Sequence, residues 1–209
     1  MLKIHALPLG SYQTNCYIVH REGSDRCAVM DPGYEADTIL RFLEREGLSL
    51  EAILLTHGHF DHVGAVKELC KATGCRLWMH ERDYSQFRNP VNAFFYPIAN
   101  CTFTEVNFCE HAEQIEAGGL VFTVLETPGH TWGSVCYLCE DAMFSGDTLF
   151  AGSCGRTDLP GGDGSVLKQS LEFLSGLETD YRVFPGHGES SSLAREKATN
   201  PYLRPDGRY

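Results

Sequence analysis

Three imidazoles and a carboxylate fall within six consecutive positions of this chain, in the segment His57-Gly58-His59-Phe60-Asp61-His62. Imidazole and carboxylate groups are the ligand types that suit zinc, iron and manganese. Their spacing of two, two and one residues is too irregular for one face of a helix, so the segment is predicted to be a loop. A metal site typically has this density of ligands. We therefore expect the rest of the chain to be organised around a metal centre.

The sequence on either side of this segment indicates how it is held. The short apolar run 52–55 predicts a buried strand that delivers the histidines to the end of a sheet. After the segment, Val63, Val66 and Leu69 recur at helical spacing. Gly74 then predicts the end of that helix. A strand, a loop and a helix in this order are expected to form a crossover that leads to another parallel strand.

Three later side chains occur in the same local context, because each follows an apolar strand pattern and accompanies a glycine turn. His130 follows the run 120–125, Asp147 follows Phe144-Ser145-Gly146, and His187 follows residues 181–184. Alone, each of these would more often be an ordinary polar loop residue than a ligand. Together with the first segment they become candidate metal ligands.

The remaining pattern favours an α/β fold. A helix is predicted over 36–46, with Ile39, Phe42 and Leu43 on its apolar stripe and Gly47 at its end. Further elements alternate between the two types: strands at 4–7, 16–19, 27–30, 76–79, 103–108 and 120–125, and a short helix at 81–88. Residues 89–101 have no clear period and predict either a loop packed by its own aromatic side chains or one wall of a substrate pocket. The length fits one domain, 1–209.

Composition excludes several classes of function. The formal net charge of -11 argues against nucleic acid or an anionic membrane surface as the partner. The sequence has no apolar signal-peptide core and no run long enough to span a bilayer, so a cytoplasmic enzyme is expected.

Nine cysteines are many, but their odd number and the chain length are not typical of a disulfide framework, and reduced thiols are expected. Cys136 and Cys139 have the Cys-x-x-Cys spacing without a second pair, so a chemical role for them is not the main expectation.

Taken together, the His-x-His-x-Asp-His segment and the later candidate ligands resemble the signature of the metallo-β-lactamase superfamily. The resemblance implies a four-layered αββα sandwich with one or two metals at its edge. It further implies that His57, His59 and His130 hold the first metal, that Asp61, His62 and His187 hold the second, and that Asp147 bridges them. Two divalent ions are expected, zinc foremost, with iron and manganese suiting the same ligands. Asp61 is also expected to orient or deprotonate the attacking water.

A narrower resemblance rests on the segment 144–150 and on Gly155-Arg156-Thr157-Asp158. These residues are similar to those of type II glyoxalases, also called hydroxyacylglutathione hydrolases, and the short bacterial members match best. The resemblance implies hydrolysis of S-(2-hydroxyacyl)glutathione or a similar small thioester by a hydroxide that bridges the metals. A persulfide dioxygenase with one iron and a lactonase of the same fold are the alternatives.

Arg156 and Asp158 are expected to pair and brace their loop. Trp132 replaces the family's usual proline and is expected near the rim of the metal site.

Overall fold

The computed structural model describes residues 1–87 and 106–204, and two six-stranded sheets account for most of the strands. The first sheet is built from the first half of the chain, with its strands adjacent in sequence order. In that order they are β1 (Leu2–Leu9), β2 (Thr14–Arg21), β3 (Arg26–Met30), β4 (Ser49–Leu54), β5 (Arg76–Met79) and β6 (Val106–Phe108).

The second sheet comes from the second half of the chain. From one edge to the other it contains β14 (Ser191–Ser192), β13 (Arg182–Pro185), β10 (Ala142–Gly146), β9 (Val135–Cys139), β8 (Leu120–Glu126) and β7 (Gln114–Ala117). A separate two-stranded ribbon pairs β11 (Leu149–Phe150) with β12 (Ser153–Cys154).

Six α-helices lie among these strands in the described ranges. They are α1 (Ala36–Glu46), α2 (Phe60–Val63), α3 (Val66–Thr73), α4 (Glu81–Phe87), α5 (Gly164–Ser175) and α6 (Leu193–Thr199). A 3₁₀ turn, Pro201–Leu203, follows α6. Within the parts of the chain that the structure describes, no helix combines the length and apolar character needed to cross a bilayer.

Three apolar clusters define four layers. Between the two sheets, side chains of β2, β3 and β4 meet side chains of β8, β9 and β10, with Tyr17 and Met30 facing Phe122 and Phe144. The opposite face of the first sheet packs on α1 and α3. The opposite face of the second sheet packs on α5 and α6. Because the central strands are buried on both faces, their sequences are nearly continuous apolar runs. The predicted αββα sandwich is confirmed.

The predicted alternation of strands and helices holds for only part of the chain. From β3 to β6 the strands are parallel and helices connect them, as the crossover from β4 to β5 requires. The strands β1, β2 and β3 are antiparallel, and so are β7, β8, β9 and β10. Both sheets are therefore mixed, because short turns at these places leave no room for a helical crossover.

Individual elements follow the sequence patterns closely where the signals are local. Helix α1 has the predicted bounds and ends at Gly47, whose φ of 65° is left-handed. The helix predicted at 81–88 is observed as Glu81–Phe87, and residue 88 and the aromatic stretch 89–101 lie outside the described residues. The histidine segment differs from the prediction, because a helical turn already begins at Phe60. Asp61 and His62 therefore lie in α2 and not in a loop.

All eight cysteines in the described ranges are free thiols. Cys136 and Cys139 lie three residues apart on β9, so their side chains point to opposite faces of the strand. Cys136 packs toward α5 and α6, whereas Cys139 packs between the two sheets. The Cys-x-x-Cys spacing therefore reflects two separate core positions.

Candidate metal centre

The structure brings all seven predicted ligands together where β4, β8, β10 and β13 end. Six of them form two groups of three, in each of which the possible ligand atoms lie within 4.8 Å of one another. The first group is His57, His59 and His130, and all three are buried. The second group is Asp61, His62 and His187, of which His187 is half-exposed. Each group combines residues that follow β4 with a histidine from the second half of the chain.

Asp147 lies between the two groups, with Oδ1 beside a histidine of the second group and Oδ2 between one histidine of each. Its Oδ1 is 3.4 Å from His62 Nε2, and its Oδ2 is 3.6 Å from His130 Nε2. The same Oδ2 is also 3.6 Å from Nε2 of His187. One carboxylate thus faces histidines of both groups, which is the position that a bridging ligand requires.

Hydrogen bonds fix the orientation of three of the histidine rings. His130 Nδ1 donates to the carbonyl of Arg156 at 2.7 Å, and His187 Nδ1 donates to the carbonyl of Tyr12 at 3.3 Å. His62 Nδ1 donates to Asp31 Oδ2 at 3.0 Å. Because Nδ1 carries the proton in each bond, Nε2 is the nitrogen that faces the cluster.

Asp31 supports the cluster and was not predicted as a site residue. Its Oδ1 accepts from the backbone N–H of Thr56 at 2.8 Å, and its Oδ2 accepts from the Thr56 hydroxyl at 2.6 Å. Oδ2 also accepts from His62. Asp31 lies within metal-binding distance of His57 and His62, but both of its oxygens already have partners, so we assign it to orientation of His62. Asp31 directly follows β3, just as Asp147 directly follows β10. This shared position after an apolar strand is the sequence signal that could have identified Asp31 as a site residue.

Asp83, on α4, connects the two loops that carry the first group. Its Oδ2 accepts from the N–H of Gly58 and from the hydroxyl of Thr131, both at 2.8 Å. Its Oδ1 accepts from the N–H of Gly133 at 2.7 Å. Gly58 lies between His57 and His59, and Thr131 follows His130. Nothing in the local sequence around Asp83 indicates this role, because its partners come from distant parts of the chain.

Close backbone approach explains two glycines at the cluster. A Cβ on Gly186 would lie 2.2 Å from Asp147 Oδ1 and 2.7 Å from Cε1 of His62. A Cβ on Gly155 would lie 1.8 Å from the carbonyl oxygen of Asp147. Any side chain at these positions would displace the candidate bridging residue, so glycine is required at both.

The charges of the cluster are strongly coupled. Burial, followed by the neighbouring His62 and His130, holds the pKa of His57 well below its usual value. Burial and then His130 lower the pKa of His59 to about 3. Burial acts to raise the pKa of Asp147, but His62 outweighs it and the pKa lies below its usual value. Neutral His57 and His59 beside an ionised carboxylate are in the protonation states that bind a cation. Burial acts to lower the pKa of His62, but Asp147 and Asp31 outweigh it and the pKa lies well above its usual value, so His62 must lose a proton when a cation binds.

Several buried atoms at the centre of the cluster form no hydrogen bond to a described residue. They include His57 Nε2, His62 Nε2 and Asp147 Oδ1. A buried polar atom without a partner costs about 1–3 kcal/mol. Here the atoms converge on the space between the two groups, and all are nitrogen or oxygen donors suited to divalent metals. The residues present therefore fit the metals that the sequence predicts.

A cavity of about 470 Å³ opens over the cluster. Its lining combines candidate ligands with apolar side chains and one cation: Tyr12, His59, Phe60, Asp61, His130, Asp147, Phe150, Cys154, Arg156, Leu159 and His187. A concave, largely apolar wall around a few convergent polar groups is typical of a small-molecule site.

Arg156 and Asp158 pair as predicted. The guanidinium donates to both carboxylate oxygens, at 2.6 and 2.7 Å. Through its carbonyl, Arg156 also holds His130.

Trp132 is 43% exposed and does not line the cavity. Its ring covers Gly161, where an added Cβ would lie 2.7 Å from Trp132 Cε3.

Comparison with known proteins identifies the family. The model of the metallo-beta-lactamase superfamily matches residues 9–187. The chain belongs to the metallo-β-lactamase superfamily. It is 34% identical over 209 residues to hydroxyacylglutathione hydrolase GloC of Haemophilus influenzae, covering 97% of this chain and 98% of the relative. The superfamily, the fold and the likeness to hydroxyacylglutathione hydrolases are confirmed.

Solved structures of the superfamily superpose over nearly the whole chain. BLEG-1 B3 metallo-beta-lactamase has a TM-score of 0.84 at 33% identity and covers 97% of this chain and 99% of its own. TTHA1623 in a di-iron-bound form has a TM-score of 0.82 at 37% identity, with 95% and 100% covered. ETHE1 from Myxococcus xanthus has a TM-score of 0.81 at 29% identity, with 99% and 86% covered. This chain is a metal-dependent hydrolase of the superfamily.

Proposed function

We propose that this protein hydrolyses a small thioester, with S-(2-hydroxyacyl)glutathione as the leading substrate. The observation that carries the proposal is the position of Asp147, which directs Oδ1 to His62 and Oδ2 to His130 at the floor of an apolar-walled cavity. The 34% identity to GloC over almost the full length of both chains supports the choice of a thioester.

The cluster is proposed to hold two divalent metals. His57, His59 and His130 would hold the first, Asp61, His62 and His187 the second, and Asp147 both. Zinc is the leading candidate from the ligand types, and the di-iron form of TTHA1623 supports iron equally well. When bound, such metals supply an activated water at neutral pH and polarise a carbonyl group.

Asp61 is proposed as the residue that handles the proton of the attacking water. Its Oδ2 accepts from the Thr14 hydroxyl at 3.1 Å and lies 3.2 Å from His187 Nε2. These contacts fix the carboxylate at the cavity floor, and Asp61 itself lines the cavity. A carboxylate held in this way can orient a water and accept its proton.

The cavity walls are proposed to bind the acyl group and the thiol carrier. Tyr12, Phe60, Phe150 and Leu159 provide apolar surface beside the metal ligands. Tyr12 and Phe60 contact each other edge to face, with centroids 5.3 Å apart. A thiolate is a fair leaving group because a thiol has a pKa of about 8.5. The departing thiolate therefore needs no general acid from the chain.

A substrate panel on protein of known metal content tests the proposal. The panel contains S-D-lactoylglutathione, glutathione persulfide, an acyl-homoserine lactone and a β-lactam. We expect two metals per chain and the highest kcat/KM for the thioester. One iron per chain, persulfide oxidation and no thioester hydrolysis would replace the proposal with a dioxygenase. If the highest kcat/KM is found for the lactone or for the β-lactam, the site would be assigned to the hydrolysis of that cyclic ester or cyclic amide instead.

A further inference from the structure

Two cysteine sulfurs meet at the end of α3, away from the metal centre. Cys70 lies in the last turn of the helix, and the helix ends at Gly74, whose φ is 71°. The N–H of Gly74 donates to the carbonyl of Cys70 at 2.9 Å. After such a left-handed glycine, the next side chain commonly folds back against the preceding turn. Cys75 does so here, and its Sγ lies 3.6 Å from Cys70 Sγ.

The contact between the two sulfurs lowers the pKa of one thiol, whereas no lowered pKa is found for the other described cysteines. When Cys75 is ionised, the Cys70 thiol can donate to its sulfur, and this hydrogen bond, opposed by burial and aided by Thr73, lowers the pKa of Cys75 to about 7. The same hydrogen bond raises the pKa of Cys70. Burial alone raises the pKa of Cys154 to about 11. Since the thiolate is the nucleophile, Cys75 is the thiol of the pair that reacts first.

The surroundings of the pair permit both access and movement. Both cysteines are half-buried, and residues 71–74 between them are exposed. An S–S bond is about 2.05 Å long, so the sulfurs must approach by roughly 1.5 Å. Because the two residues flank a surface turn and no strand pairing lies between them, that turn can absorb the shift.

We propose that Cys70 and Cys75 form a redox-active dithiol that a low-molecular-weight disulfide oxidises to an intramolecular disulfide. The Cys75 thiolate attacks one sulfur of the disulfide RSSR, giving a mixed disulfide at Cys75 and releasing RS⁻. The Cys70 sulfur, after losing its proton, attacks Cys75 Sγ and releases the second RS⁻. The two protons of the protein thiols pass to the two RS⁻ ions. The protein loses two electrons, and RSSR is reduced to two RSH.

Thiol mapping on the whole protein tests the proposal. Reduced protein is incubated with glutathione disulfide near pH 7.5, blocked with N-ethylmaleimide, digested and analysed by mass spectrometry. We expect a linked peptide that joins Cys70 to Cys75 and the loss of two alkylated thiols per chain, reversed by dithiothreitol. The proposal is overturned if both cysteines stay fully alkylated, or if Cys75 links to a different cysteine such as the neighbouring Cys27.

Serine variants separate the two roles. Cys70→Ser lacks the resolving thiol, so a stable glutathione adduct should accumulate on Cys75. Cys75→Ser lacks the attacking thiolate, so adduct formation in this peptide should fall at least tenfold. Cys154→Ser is the matched control, because Cys154 is also half-buried and burial alone raises its pKa, and it should form the Cys70–Cys75 link as the unchanged protein does. Equal adduct formation in both pair variants would contradict the proposed order of attack.

Discussion

Asp147 differs from the other six candidate ligands because its two oxygens face histidines of different groups. Oδ1 is 3.4 Å from His62, and Oδ2 is 3.6 Å from His130. Each of the other six side chains belongs to only one of the two groups, although His57 and His62 also lie within metal-binding distance of Asp31. A change at Asp147 should therefore affect both metals, whereas a change at any single histidine should affect one metal first.

Replacement of Asp147 by Asn is expected to lower metal content at both positions and to reduce hydrolysis by more than about 100-fold. Loss of a residue that only orients a ligand typically costs about 10 to 100-fold, and loss of a shared ligand should cost more. The amide keeps the size of the side chain but removes the charge that offsets two cations. Metal analysis and steady-state kinetics measure both effects.

Asp158→Asn is the control for this change, because it removes a carboxylate from the neighbouring loop without touching the cluster. Asp158 is exposed and pairs with Arg156. Solvent screens an exposed ion pair, so metal content should stay unchanged and hydrolysis should change only slightly. Near-normal metal content and turnover in Asp147→Asn would reject the shared-ligand assignment.

At the scale of elements, α4 fixes the geometry of two loops through one buried carboxylate. Asp83 accepts from Gly58 beside the first histidines and from Thr131 beside His130. The helix contributes no ligand of its own. It holds the first group together by satisfying backbone N–H groups that would otherwise be buried without partners.

Asp83→Asn is expected to weaken metal binding in the first group by about 10 to 100-fold, the range seen when a group that orients ligands is lost. The amide nitrogen cannot accept a hydrogen bond, so Gly133 or Gly58 would lose its acceptor. Competition with a chelator measures the affinity. Glu81→Gln on the same helix is the control, since Glu81 is exposed, and should bind metal normally. Equal affinities in the two variants would remove Asp83 from its proposed role.

The elements that the sequence predicts well are those with complete local signals. Helix α1 has an apolar stripe and a glycine end within its own residues, and its bounds match. The histidine, carboxylate and glycine signals likewise lie within each ligand loop. The assignment of strands to two sheets, and the direction of each strand pair, could not be predicted in the same way. A strand that is buried on both faces is an apolar run whether its neighbours are parallel or antiparallel. Asp83 was missed for a related reason, since its partners lie in loops far away in sequence.

At the scale of the whole molecule, hydrogen bonds join the two sheets beside the metal centre. Tyr137 on β9 is fully buried, and its hydroxyl donates to the carbonyl of Leu55 at 3.0 Å. Leu55 lies two residues before His57, where the histidine segment begins. The backbone N–H of Val135 donates to the carbonyl of Thr56 at 2.8 Å. The second sheet thus supports the chain on which the first ligands lie.

Tyr137→Phe is expected to destabilise the protein by about 1–3 kcal/mol, because the change leaves the buried carbonyl of Leu55 without this donor. Urea unfolding followed by circular dichroism measures the loss in the free energy of unfolding. Tyr12→Phe is the comparison, since Tyr12 is 57% exposed, and should unfold within about 0.5 kcal/mol of the unchanged protein. Equal midpoints would show that this hydrogen bond contributes no net stability.

Removal of metal is expected to lower the melting temperature of the whole molecule. A ligand present at 100 times its Kd stabilises the native state by about 2.7 kcal/mol. In a chain of this size 1 kcal/mol corresponds to about 2–4 °C, so chelation should lower Tm by about 5–11 °C. Calorimetry with and without chelator measures the shift, and added zinc should restore it. An unchanged Tm in protein proven to lose its metal would contradict a cluster that needs cations for stability.

The division of ligands between the two sheets has a consequence for timing during synthesis. The residues after β4 offer His57 and His59, but the first group is complete only with His130. The second group needs His187, which follows His57 by 130 residues. A ribosome therefore has to release His130 before the first group can close, and His187 before the second group can close. Metal capture is expected to follow the pairing of the two sheets, so metal supplied after translation should load the folded protein as fully as metal present throughout it.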